Sequence, residues 1–546
     1  MALEERIYIT GHQHPDTDAT AAAIAYSFFK RTQGVPAVAC RLGELNSETK
    51  YLLERFHFDE PLLLEDARKK LNEIKIDGPL STRPDTSVFD TLKLMQDTDQ
   101  PYIGIVDENN LLLGMVSKSD LVNVGLGDTA LGIDLLRQTS VKGIAHTISG
   151  KVIYDDKKVH INGKVSIIAI TQSRLANYDI TDRIVICGDD ADAQKELIEK
   201  GAGMLIIVWA KAINKEVIAL ARKKHCPIII SGHGSMNTSR YLYFAPPVKL
   251  VMNTKLVTFN ENELAEDVKK KIQQYRYRAF PVVDNDGHLI GYVSHTHLMN
   301  YKNKKIILVD HNEFSQSVRA VEKAQLLEVL DHHRINDFAT NQPVTFRNEI
   351  VGSTATIISK IFRENQIPMP ANLAGLLLGA VLSDTLMFQS PTTTQVDKTE
   401  ANILAAMADL DIYEFGREMF NASANVKNKS IQELINTDIK FFDLYSYKTM
   451  ISQVIVPEIS AFAGREVEIQ AELDKFTGKK ELDCCVLAIT GIMDNGSVFY
   501  FSGDKGKWAA EAFPNKPKEQ RSLQEGVVSR KKQILPMVTE AIGKYA

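Results

Sequence analysis

The stretch RIYITGHQHPDTDA, residues 6–19, decides the predicted fold of this chain. Its first part, RIYIT (6–10), is a short run of strand-forming residues, and a polar loop rich in histidine and aspartate follows it. The alanine-rich run AAAIAYSFFKR (21–31) predicts a helix, and VPAVACRL (35–42) predicts a second strand. This order of elements opens a parallel α/β sheet, in which ligands gather at the carboxyl ends of the strands. The polar loop therefore lies where such a fold carries its chemistry.

A similar pattern returns in the second half of the chain. KNKKIILVDHNE predicts a buried strand that ends at Asp310, LEVLDHHR predicts another that ends before His332, and ANLAGLLLGAVLSDTLMF predicts a helix that runs into an acidic loop at Asp384. We therefore expect one parallel-sheet domain that is interrupted by an insertion between about residues 70 and 302.

The predicted insertion contains an internal repeat. PYIGIVDENNLLLGMVSKSDLVNV (101–124) and AFPVVDNDGHLIGYVSHTHLMNY (279–301) share two strands, an acidic turn and the start of a helix. Such a pair predicts two β-α-β units packed against each other. Between them, residues 131–244 alternate strands with amphipathic helices, which predicts a separate small α/β domain. A last segment from about residue 430 has strands of its own and ends in the run SRKKQ (529–533).

The composition is that of a multidomain soluble globular protein. With 546 residues, three or four cores are expected. A formal charge of -5 provides no basic stripe, so we expect no nucleic-acid partner.

There is no targeting pattern and no apolar run of about 18 residues, so we expect no membrane span and a cytoplasmic location. The five cysteines lack paired spacing, which predicts reduced packing residues rather than disulfides or a zinc site.

Histidine and aspartate recur where the predicted elements end. The candidate ligands are His12, Asp16, Asp18, Asp310, His332 and Asp384. One Asp-His pair is more often a turn or a helix cap than a metal site, but three such clusters at one sheet edge favour shared metal binding. Mixed imidazole and carboxylate ligands suit Mn²⁺ or Co²⁺, whereas an all-oxygen set would favour Mg²⁺ or Ca²⁺. Two ions about 3.5–4 Å apart can activate hydroxide for attack on phosphorus, which predicts hydrolysis of a P–O–P bond.

Phosphate hydrolysis also requires cations, because negative charge spreads over the phosphate oxygens in the transition state. Arg530, Lys531 and Lys532 in SRKKQ are candidates, and Lys440 in NTDIKFF is a weaker one. The alternative interpretation is that this terminal basic run is a solvated surface.

These motifs resemble the family II inorganic pyrophosphatases of the DHH phosphoesterase superfamily, and most closely the regulated subfamily with inserted CBS (cystathionine-β-synthase-type) domains. GHQHPDTDA, VDHNE, DHHRI, VGST, SDT, SPT and SRKKQ appear in the family's order over nearly the whole chain. Other DHH phosphodiesterases typically end with a GGGH-like motif, which this sequence lacks. The resemblance implies an inorganic diphosphatase that acts on pyrophosphate.

The resemblance also implies roles for individual residues. One ion would be held by His12, Asp16 and Asp310, and the other by Asp18, Asp310, His332 and Asp384, so that Asp310 bridges them. Mn²⁺ or Co²⁺ would occupy both sites, and Mg²⁺ would arrive with the substrate. Phosphate contacts would come from His333, Lys440, Arg530 and Lys531, and two lobes would close over pyrophosphate. Two positions depart from the family pattern: His14 replaces the usual Asn, either near the nucleophile or as a loop cap, and Gln389 replaces a common Lys.

The insertion resembles a CBS–DRTGG–CBS regulatory region that binds adenine nucleotides (AMP, ADP or ATP) or diadenosine polyphosphates. Ser117 and Asp120 fit the CBS pattern for holding phosphate and ribose, whereas in the second repeat Ser294 is followed by His297 in place of Asp. Two further candidate phosphate ligands precede the strand AFPVV, namely Arg276 and Arg278, although a solvated basic helix end would look the same. CBS pairs usually dimerise, so a homodimer is expected.

The predicted fold is an α/β DHH-type parallel-sheet catalytic domain, interrupted by a CBS–DRTGG–CBS insertion and followed by a C-terminal α/β DHH-associated domain. The predicted boundaries are residues 1–70 and 303–428 for the catalytic domain, 71–130 and 245–302 for the CBS domains, 131–244 for the DRTGG-like domain and 429–546 for the C-terminal domain. Two alternatives stay open: another DHH phosphohydrolase such as an exopolyphosphatase, and a nucleotide sensor with little catalysis.

Overall fold

The computed structural model describes residues 6–126, 129–168, 178–335, 339–340, 342–424, 430–436, 438–514 and 521–546. The chain forms two compact units, which we call the split unit (Met1–Arg68 with Lys302–Ala546) and the insertion (Lys69–Tyr301). The predicted interruption of one domain by another is therefore confirmed. Within the part of the chain that the structure describes, no helix has the length and apolar character that a membrane crossing requires.

The strands, in chain order, are β1 (Ile7–Thr10), β2 (Ala37–Arg41), β3 (Leu62–Leu63), β4 (Ser81–Thr82), β5 (Tyr102–Val106), β6 (Leu112–Ser117), β7 (Lys151–Tyr154), β8 (Val165–Ile168), β9 (Ile184–Cys187), β10 (Met204–Ile207), β11 (Ile228–Ile230), β12 (Phe259–Asn260), β13 (Ala279–Val283), β14 (Leu289–Ser294), β15 (Lys305–Val309), β16 (Gln325–Asp331), β17 (Thr345–Asn348), β18 (Ile439–Leu444), β19 (Tyr447–Val456), β20 (Cys484–Gly491), β21 (Gly496–Ser502) and β22 (Gln524–Glu525).

The helices, in chain order, are α1 (Thr17–Thr32), α2 (Ser47–Arg55), α3 (Val88–Asp97), α4 (Lys118–Leu126), α5 (Thr129–Arg137), α6 (Val141–Thr147), α7 (Ala191–Glu199), α8 (Lys215–Lys224), α9 (Ser235–Leu242), α10 (Ala265–Ile272), α11 (His295–Asn300), α12 (Thr354–Glu364), α13 (Ala371–Asp384), α14 (Gln395–Ala408), α15 (Ile412–Ala424), α16 (Ile431–Ile435), α17 (Glu466–Lys480), α18 (Gly506–Ala510) and α19 (Leu535–Gly543).

A six-stranded sheet in the split unit has the order β17-β16-β15-β1-β2-β3, and all of its neighbouring strands run parallel. β1 pairs with β15 from Ile7 opposite Lys305 to Thr10 opposite Leu308, although the whole insertion separates them in the sequence. Because parallel strands end at the same sheet edge, the loops after β1, β15 and β16 lie next to one another. These three loops form the sheet edge at which the sequence predicted the candidate site.

Helices α1 and α13 form the centre of the core above this sheet. The run Ala21–Ala23 in α1 is fully buried, and these small side chains let neighbouring helices approach closely. All residues of α13 from Leu373 to Leu382 are buried, as expected for a helix that is apolar on every side. Asp384 is the last residue of α13, so a rigid buried helix carries this candidate ligand to the sheet edge.

The C-terminal part of the split unit is a mixed five-stranded sheet of order β18-β19-β20-β21-β22. Alternate side chains of β19 and β20 enter two cores: Met450 and Cys485 pack with α17, while Ile451 and Cys484 pack with α19. This two-layered arrangement follows from the period-2 alternation of strand side chains, and it confirms the predicted C-terminal α/β domain. All five cysteines are buried and unpaired, in agreement with the predicted packing role.

The insertion contains a five-stranded sheet of order β7-β11-β10-β9-β8 and two three-stranded sheets, β4-β5-β6 and β12-β13-β14. The small sheets have the same hairpin, β5 with β6 and β13 with β14, which confirms the internal repeat. Tyr292 joins the two repeats: its ring lies 4.8 Å from that of Tyr102, and its hydroxyl accepts a 2.6 Å hydrogen bond from the amide of Gly104.

The two repeats exchange their flanking segments. Leu71 and Ile74, at the start of the insertion, pack in the core of the second repeat with Phe259 and Phe280. Val248, which precedes the second repeat in sequence, packs in the core of the first repeat. Each repeat is thus completed by a segment from the other end of the insertion.

Candidate metal centre

The loop after β1 brings His12 close to two carboxylates. Its Nε2 atom lies 3.2 Å from Oδ2 of Asp16 and 3.6 Å from Oδ2 of Asp310. Asp16 is also the N-cap of α1, because its Oδ1 accepts a 2.9 Å hydrogen bond from the amide of Ala19. Burial lowers the pKa of His12, but the hydrogen bond and charge of Asp16, with the charge of Asp310, outweigh burial and raise the pKa to about 9.

Asp310 lies between the other candidate ligands, and its side chain is 2% exposed. Its φ of 61° places it in the left-handed region, which is strained for a residue other than glycine and is common at functional sites. Its Oδ1 atom accepts a 3.0 Å hydrogen bond from the hydroxyl of Thr354 and lies 3.4 Å from Nε2 of His332. Burial, together with the charges of Asp18 and Asp16, raises the pKa of Asp310 well above its usual value.

Asp18 is fully buried against the N-terminus of α12. Its Oδ1 atom accepts hydrogen bonds from the Ser353 hydroxyl at 2.8 Å and the Ala355 amide at 2.9 Å, and its Oδ2 accepts one from the Thr354 amide at 2.6 Å. Three donors and a helix N-terminus stabilise a carboxylate here. Burial nevertheless dominates and raises the pKa of Asp18.

His332 and Asp384 close the group. Nε2 of His332 lies 3.6 Å from Oδ2 of Asp384, while Nδ1 is 3.1 Å from the carbonyl of Val351, which fixes the ring. The buried Nε2 atom has no hydrogen-bond partner among the described residues. A buried nitrogen without a partner is costly, and a bound cation would satisfy it. Burial, followed by the charge of Asp18, raises the pKa of Asp384 well above its usual value.

The six side chains form two overlapping groups that share Asp310. One group is His12, Asp16 and Asp310, and the other is Asp18, Asp310, His332 and Asp384; within each, one ligand atom per residue lies within 4.8 Å of the others. Four carboxylates at such distances repel one another when ionised, which is why burial and mutual charge raise the pKa of three of them. Two divalent cations would remove this repulsion, so the donor set fits a two-ion site.

A second set of residues holds the ligands in place. The buried Asp331 accepts hydrogen bonds from the amides of His332 and His333, and its Oδ1 lies 2.9 Å from Nδ1 of His333. That contact fixes His333 with Nδ1 3.9 Å from Asp310. The predicted phosphate ligand His333 thus lies beside the metal ligands.

Glu48 and Ser317 are two supporting residues that the sequence did not identify. The Glu48 carboxylate accepts hydrogen bonds from the hydroxyls of Thr17, at 2.6 Å, and Ser383. The Ser317 hydroxyl lies 2.8 Å from Nε2 of His311, and the Ser317 carbonyl accepts a 2.8 Å hydrogen bond from Gln13. No local sequence pattern predicts these contacts. Most of them join residues that are far apart in the sequence, and the contact between Ser317 and His311 spans six residues of a loop.

The predicted cations lie in the C-terminal sheet and in the turn that precedes α19. Lys440 is exposed in β18, and Lys531 is exposed in the π-helical turn Arg530–Ile534. Arg530 donates a 2.8 Å hydrogen bond to the carbonyl of Asp438 and lies 2.9 Å from its carboxylate. π-Helical turns are rare and often occur at functional sites.

Gln389 joins this C-terminal sheet to the catalytic core. Its side-chain amide donates a hydrogen bond to the carbonyl of Ile492, and its buried Oε1 has no partner among the described residues. Ile492 itself is 1% exposed and belongs to the core around α1 and α13. His14 is exposed in the loop between His12 and Asp16.

The candidate nucleotide ligands lie at matching places in the two repeats of the insertion. Oδ2 of Asp120 accepts hydrogen bonds from the amide and hydroxyl of Ser117 at 2.8 and 2.7 Å. In the second repeat, Nδ1 of His297 lies 3.1 Å from both the amide and the hydroxyl of Ser294. His297 therefore takes the capping place of Asp120. Two exposed arginines, Arg276 and Arg278, lie between α10 and β13.

Two family models and two full-length relatives match this chain. The model of the DHH family N-terminal domain matches residues 6–381, and that of the DHHA2 domain matches residues 417–541. The chain is 37% identical over 544 residues to a cobalt-dependent inorganic pyrophosphatase of Clostridium perfringens, covering 99% of both chains. It is 30% identical over 547 residues to a Thermotoga maritima protein named as a probable manganese-dependent inorganic pyrophosphatase, again covering 99% of both.

A solved structure is similar to the insertion. It contains the CBS and DRTGG domains of the regulatory region of Clostridium perfringens pyrophosphatase, complexed with the activator diadenosine tetraphosphate. It is 29% identical, covers 42% of this chain and all of that chain, and has a TM-score of 0.38. The family models and the full-length relatives decide the matter: this chain belongs to the family II inorganic pyrophosphatases of the DHH superfamily.

Proposed function

We propose that the protein hydrolyses inorganic pyrophosphate to two phosphates at a two-ion site whose bridging ligand is Asp310. The observation that carries this proposal is the sharing of Asp310 by two groups of ligand atoms, each within 4.8 Å. Two divalent ions, when bound, supply a nucleophile at neutral pH and withdraw charge from the phosphate oxygens. Mn²⁺ or Co²⁺ suits the mixed imidazole and carboxylate donors, and Mg²⁺ enters with the substrate.

The residues of this chain then perform three tasks. Asp16, Asp18 and Asp384 would hold the ions at the sheet edge, together with Asp310, His12 and His332. His333, whose Nδ1 Asp331 orients, would contact a phosphate oxygen beside the ions. Lys440, Arg530 and Lys531 neutralise the charge on the outer phosphate oxygens.

The insertion regulates this reaction by binding adenine nucleotides or diadenosine polyphosphates. Along the sequence, we assign residues 71–130 to the first CBS domain, 131–244 to the middle domain and 245–302 to the second CBS domain. The segments around Leu71 and Val248 each pack in the core of the other CBS domain. Ser117 with Asp120 and Ser294, together with Arg276 and Arg278, are the proposed nucleotide ligands. The Asp120 carboxylate would exchange its bonds to Ser117 for bonds to a ribose. A homodimer formed through the insertion is the proposed assembly.

A comparison of substrates tests the proposed reaction. With Mn²⁺ or Co²⁺, phosphate release from pyrophosphate should exceed release from long-chain polyphosphate; a clear preference for the polymer would identify an exopolyphosphatase instead. Asp310→Asn should abolish turnover while ATP binding to the insertion stays unchanged. Unaltered turnover in this variant would refute the bridging role, and wild-type protein that binds nucleotide without turnover would be a sensor.

A further inference from the structure

Helix α2 and the residue that follows it pack against two glycines of α13. A Cβ atom at Gly375 would lie 2.3 Å from the ring of Phe56, and one at Gly379 would lie 2.8 Å from a methyl group of Leu52. A side chain at either position would displace Phe56 or Leu52, so the two glycines allow α2 to pack directly on α13. The two glycines are four residues apart and therefore lie on one face of the helix.

One further turn along the same face, Ser383 donates a hydrogen bond to Oε1 of Glu48. Glu48 lies four residues before Leu52, so both side chains are on the face of α2 that packs against α13. Glu48 is one turn nearer the start of α2, just as Ser383 is one turn nearer the end of α13 than Gly379. The close packing of the helices therefore delivers the Glu48 carboxylate to the end of α13. The next residue of that helix is the proposed metal ligand Asp384.

The same oxygen of Glu48 also accepts a 2.6 Å hydrogen bond from the hydroxyl of Thr17. Thr17 stands between the proposed ligands Asp16 and Asp18. Thr49 supports this contact, since its hydroxyl lies 3.1 Å from that of Thr17. One carboxylate oxygen thus joins the two segments that supply ligands from opposite ends of the split unit.

We propose that Glu48 is a positioning residue of the metal centre, which fixes the Asp16–Asp18 segment and Asp384 at the separation that the ions require. The inference rests on the proposed two-ion site, and it adds a residue that holds ligands without contacting metal or substrate. Partners that orient metal ligands typically change metal affinity or activity by about 10- to 100-fold when they are removed.

Titration of the metal-free, full-length protein with Co²⁺ tests this role. The visible absorption of bound Co²⁺ reports its coordination geometry, so it responds to ligand placement independently of turnover. Glu48→Ala should weaken Co²⁺ binding by about 10- to 100-fold and change the spectrum. Glu48→Gln should stay close to wild type, because its amide oxygen can accept both hydroxyl hydrogen bonds.

Two other variants separate positioning from a general loss of stability. Glu54→Ala removes an exposed glutamate from the same helix and should leave Co²⁺ binding unchanged. Ser383→Ala removes one of the two hydrogen bonds that Glu48→Ala removes, so it should weaken Co²⁺ binding by no more than Glu48→Ala does. The double variant should be no weaker than Glu48→Ala, because the Ser383 hydrogen bond is already lost there. If Glu48→Ala does not fold, Ser383→Ala and Glu48→Gln still carry the test.

Wild-type Co²⁺ affinity and an unchanged spectrum in both Glu48→Ala and Ser383→Ala would overturn the proposal. Failure of the proposed reaction gives a different result. In that case wild-type protein would bind two Co²⁺ ions without hydrolysing pyrophosphate, and the effect of Glu48 on Co²⁺ binding would still be measurable.

Discussion

The carboxylate of Asp18 accepts a 2.6 Å hydrogen bond from the amide of Thr354, at the start of a helix that lies in the second half of the chain. The bond joins a proposed metal ligand before the insertion to a helix after it. Correct ligand placement therefore requires the two halves of the split unit to fold together. Metal binding should stabilise this assembled state by mass action.

Asp18→Asn tests the contribution of this carboxylate. The side-chain amide nitrogen would face either the Thr354 amide or the donors Ser353 and Ala355, so at least one hydrogen bond is lost along with the charge. We expect the bound Mn²⁺ to fall from about two ions per chain to about one, with turnover reduced by more than about 100-fold. Elemental analysis and a phosphate-release assay measure the two effects.

Asp59→Asn is a suitable control, because Asp59 is exposed in the same split unit and should retain wild-type stoichiometry. Two bound ions in Asp18→Asn would contradict the assigned ligand set.

The raised pKa of His12 predicts how metal affinity depends on pH. His12 has a pKa of about 9 in the metal-free protein, compared with the ordinary 6.5, so its proton must leave before it can bind metal. Mn²⁺ affinity should therefore increase by about tenfold per pH unit between roughly pH 7 and 9 and level off above that. Calorimetric titration at several pH values measures the slope, and an affinity that does not change with pH would contradict the prediction.

The same shift has the opposite effect on the stability of the metal-free protein. A raised histidine pKa contributes stability that is fully present below pH 6.5 and is lost as pH rises through about 9. The melting temperature measured with chelator present should therefore fall as the pH is raised from about 6.5 to about 9. This fall should be smaller in His12→Gln, which has no imidazole to titrate.

Local sequence patterns were sufficient to predict the parallel sheet and the meeting of the candidate ligand side chains at its edge. β1 and β15 are short apolar runs that end directly before polar residues, and such strand ends face the same edge in a parallel sheet. His12 and Asp310 could therefore be placed together despite the insertion between them.

Other features depend on packing between distant segments and leave no local signature. Glu48 looks like an ordinary acidic residue in a first helical turn, and only its approach to Ser383 reveals a role. The predicted boundaries place Leu71 in the first CBS domain and Val248 in the second. In the structure, Leu71 packs in the core of the second repeat and Val248 in the core of the first. His297 departs from the expected Asp, but its Nδ1 atom fills the same capping place.

Gln389 provides a test of how the C-terminal sheet is held. Its side-chain amide donates a hydrogen bond to the Ile492 carbonyl, which directly follows β20 of this sheet. The proposed phosphate ligand Lys440 lies in the same sheet. Gln389→Ala should raise the KM for pyrophosphate several-fold and lower kcat less, because the phosphate ligands lose a fixed support. Gln389→Lys keeps a donor at this position and should restore much of the affinity. Steady-state kinetics give both values. An unchanged KM in Gln389→Ala would show that Gln389 does not support phosphate binding by the C-terminal sheet.

The point where the chain leaves the split unit is connected to the two loops that carry the proposed metal ligands His12 and Asp310. The amide of Ala67 donates a 2.9 Å hydrogen bond to the carbonyl of Arg319, two residues after Ser317. Ser317 in turn contacts both His311, the neighbour of Asp310, and Gln13, the neighbour of His12. A displacement at this exit point therefore has a short route of direct contacts to both loops.

Ser317→Ala tests that coupling, because it removes the hydroxyl contact to His311 and leaves the backbone contacts in place. Diadenosine tetraphosphate should change the pyrophosphatase activity of Ser317→Ala by no more than half of the change that it causes in the wild type. The affinity of the insertion for this nucleotide should stay at the wild-type value. Ser315→Ala, an exposed serine two residues away, should keep the full response. An unchanged ratio in Ser317→Ala would exclude this route, since reciprocal coupling must weaken when a contact that transmits it is removed.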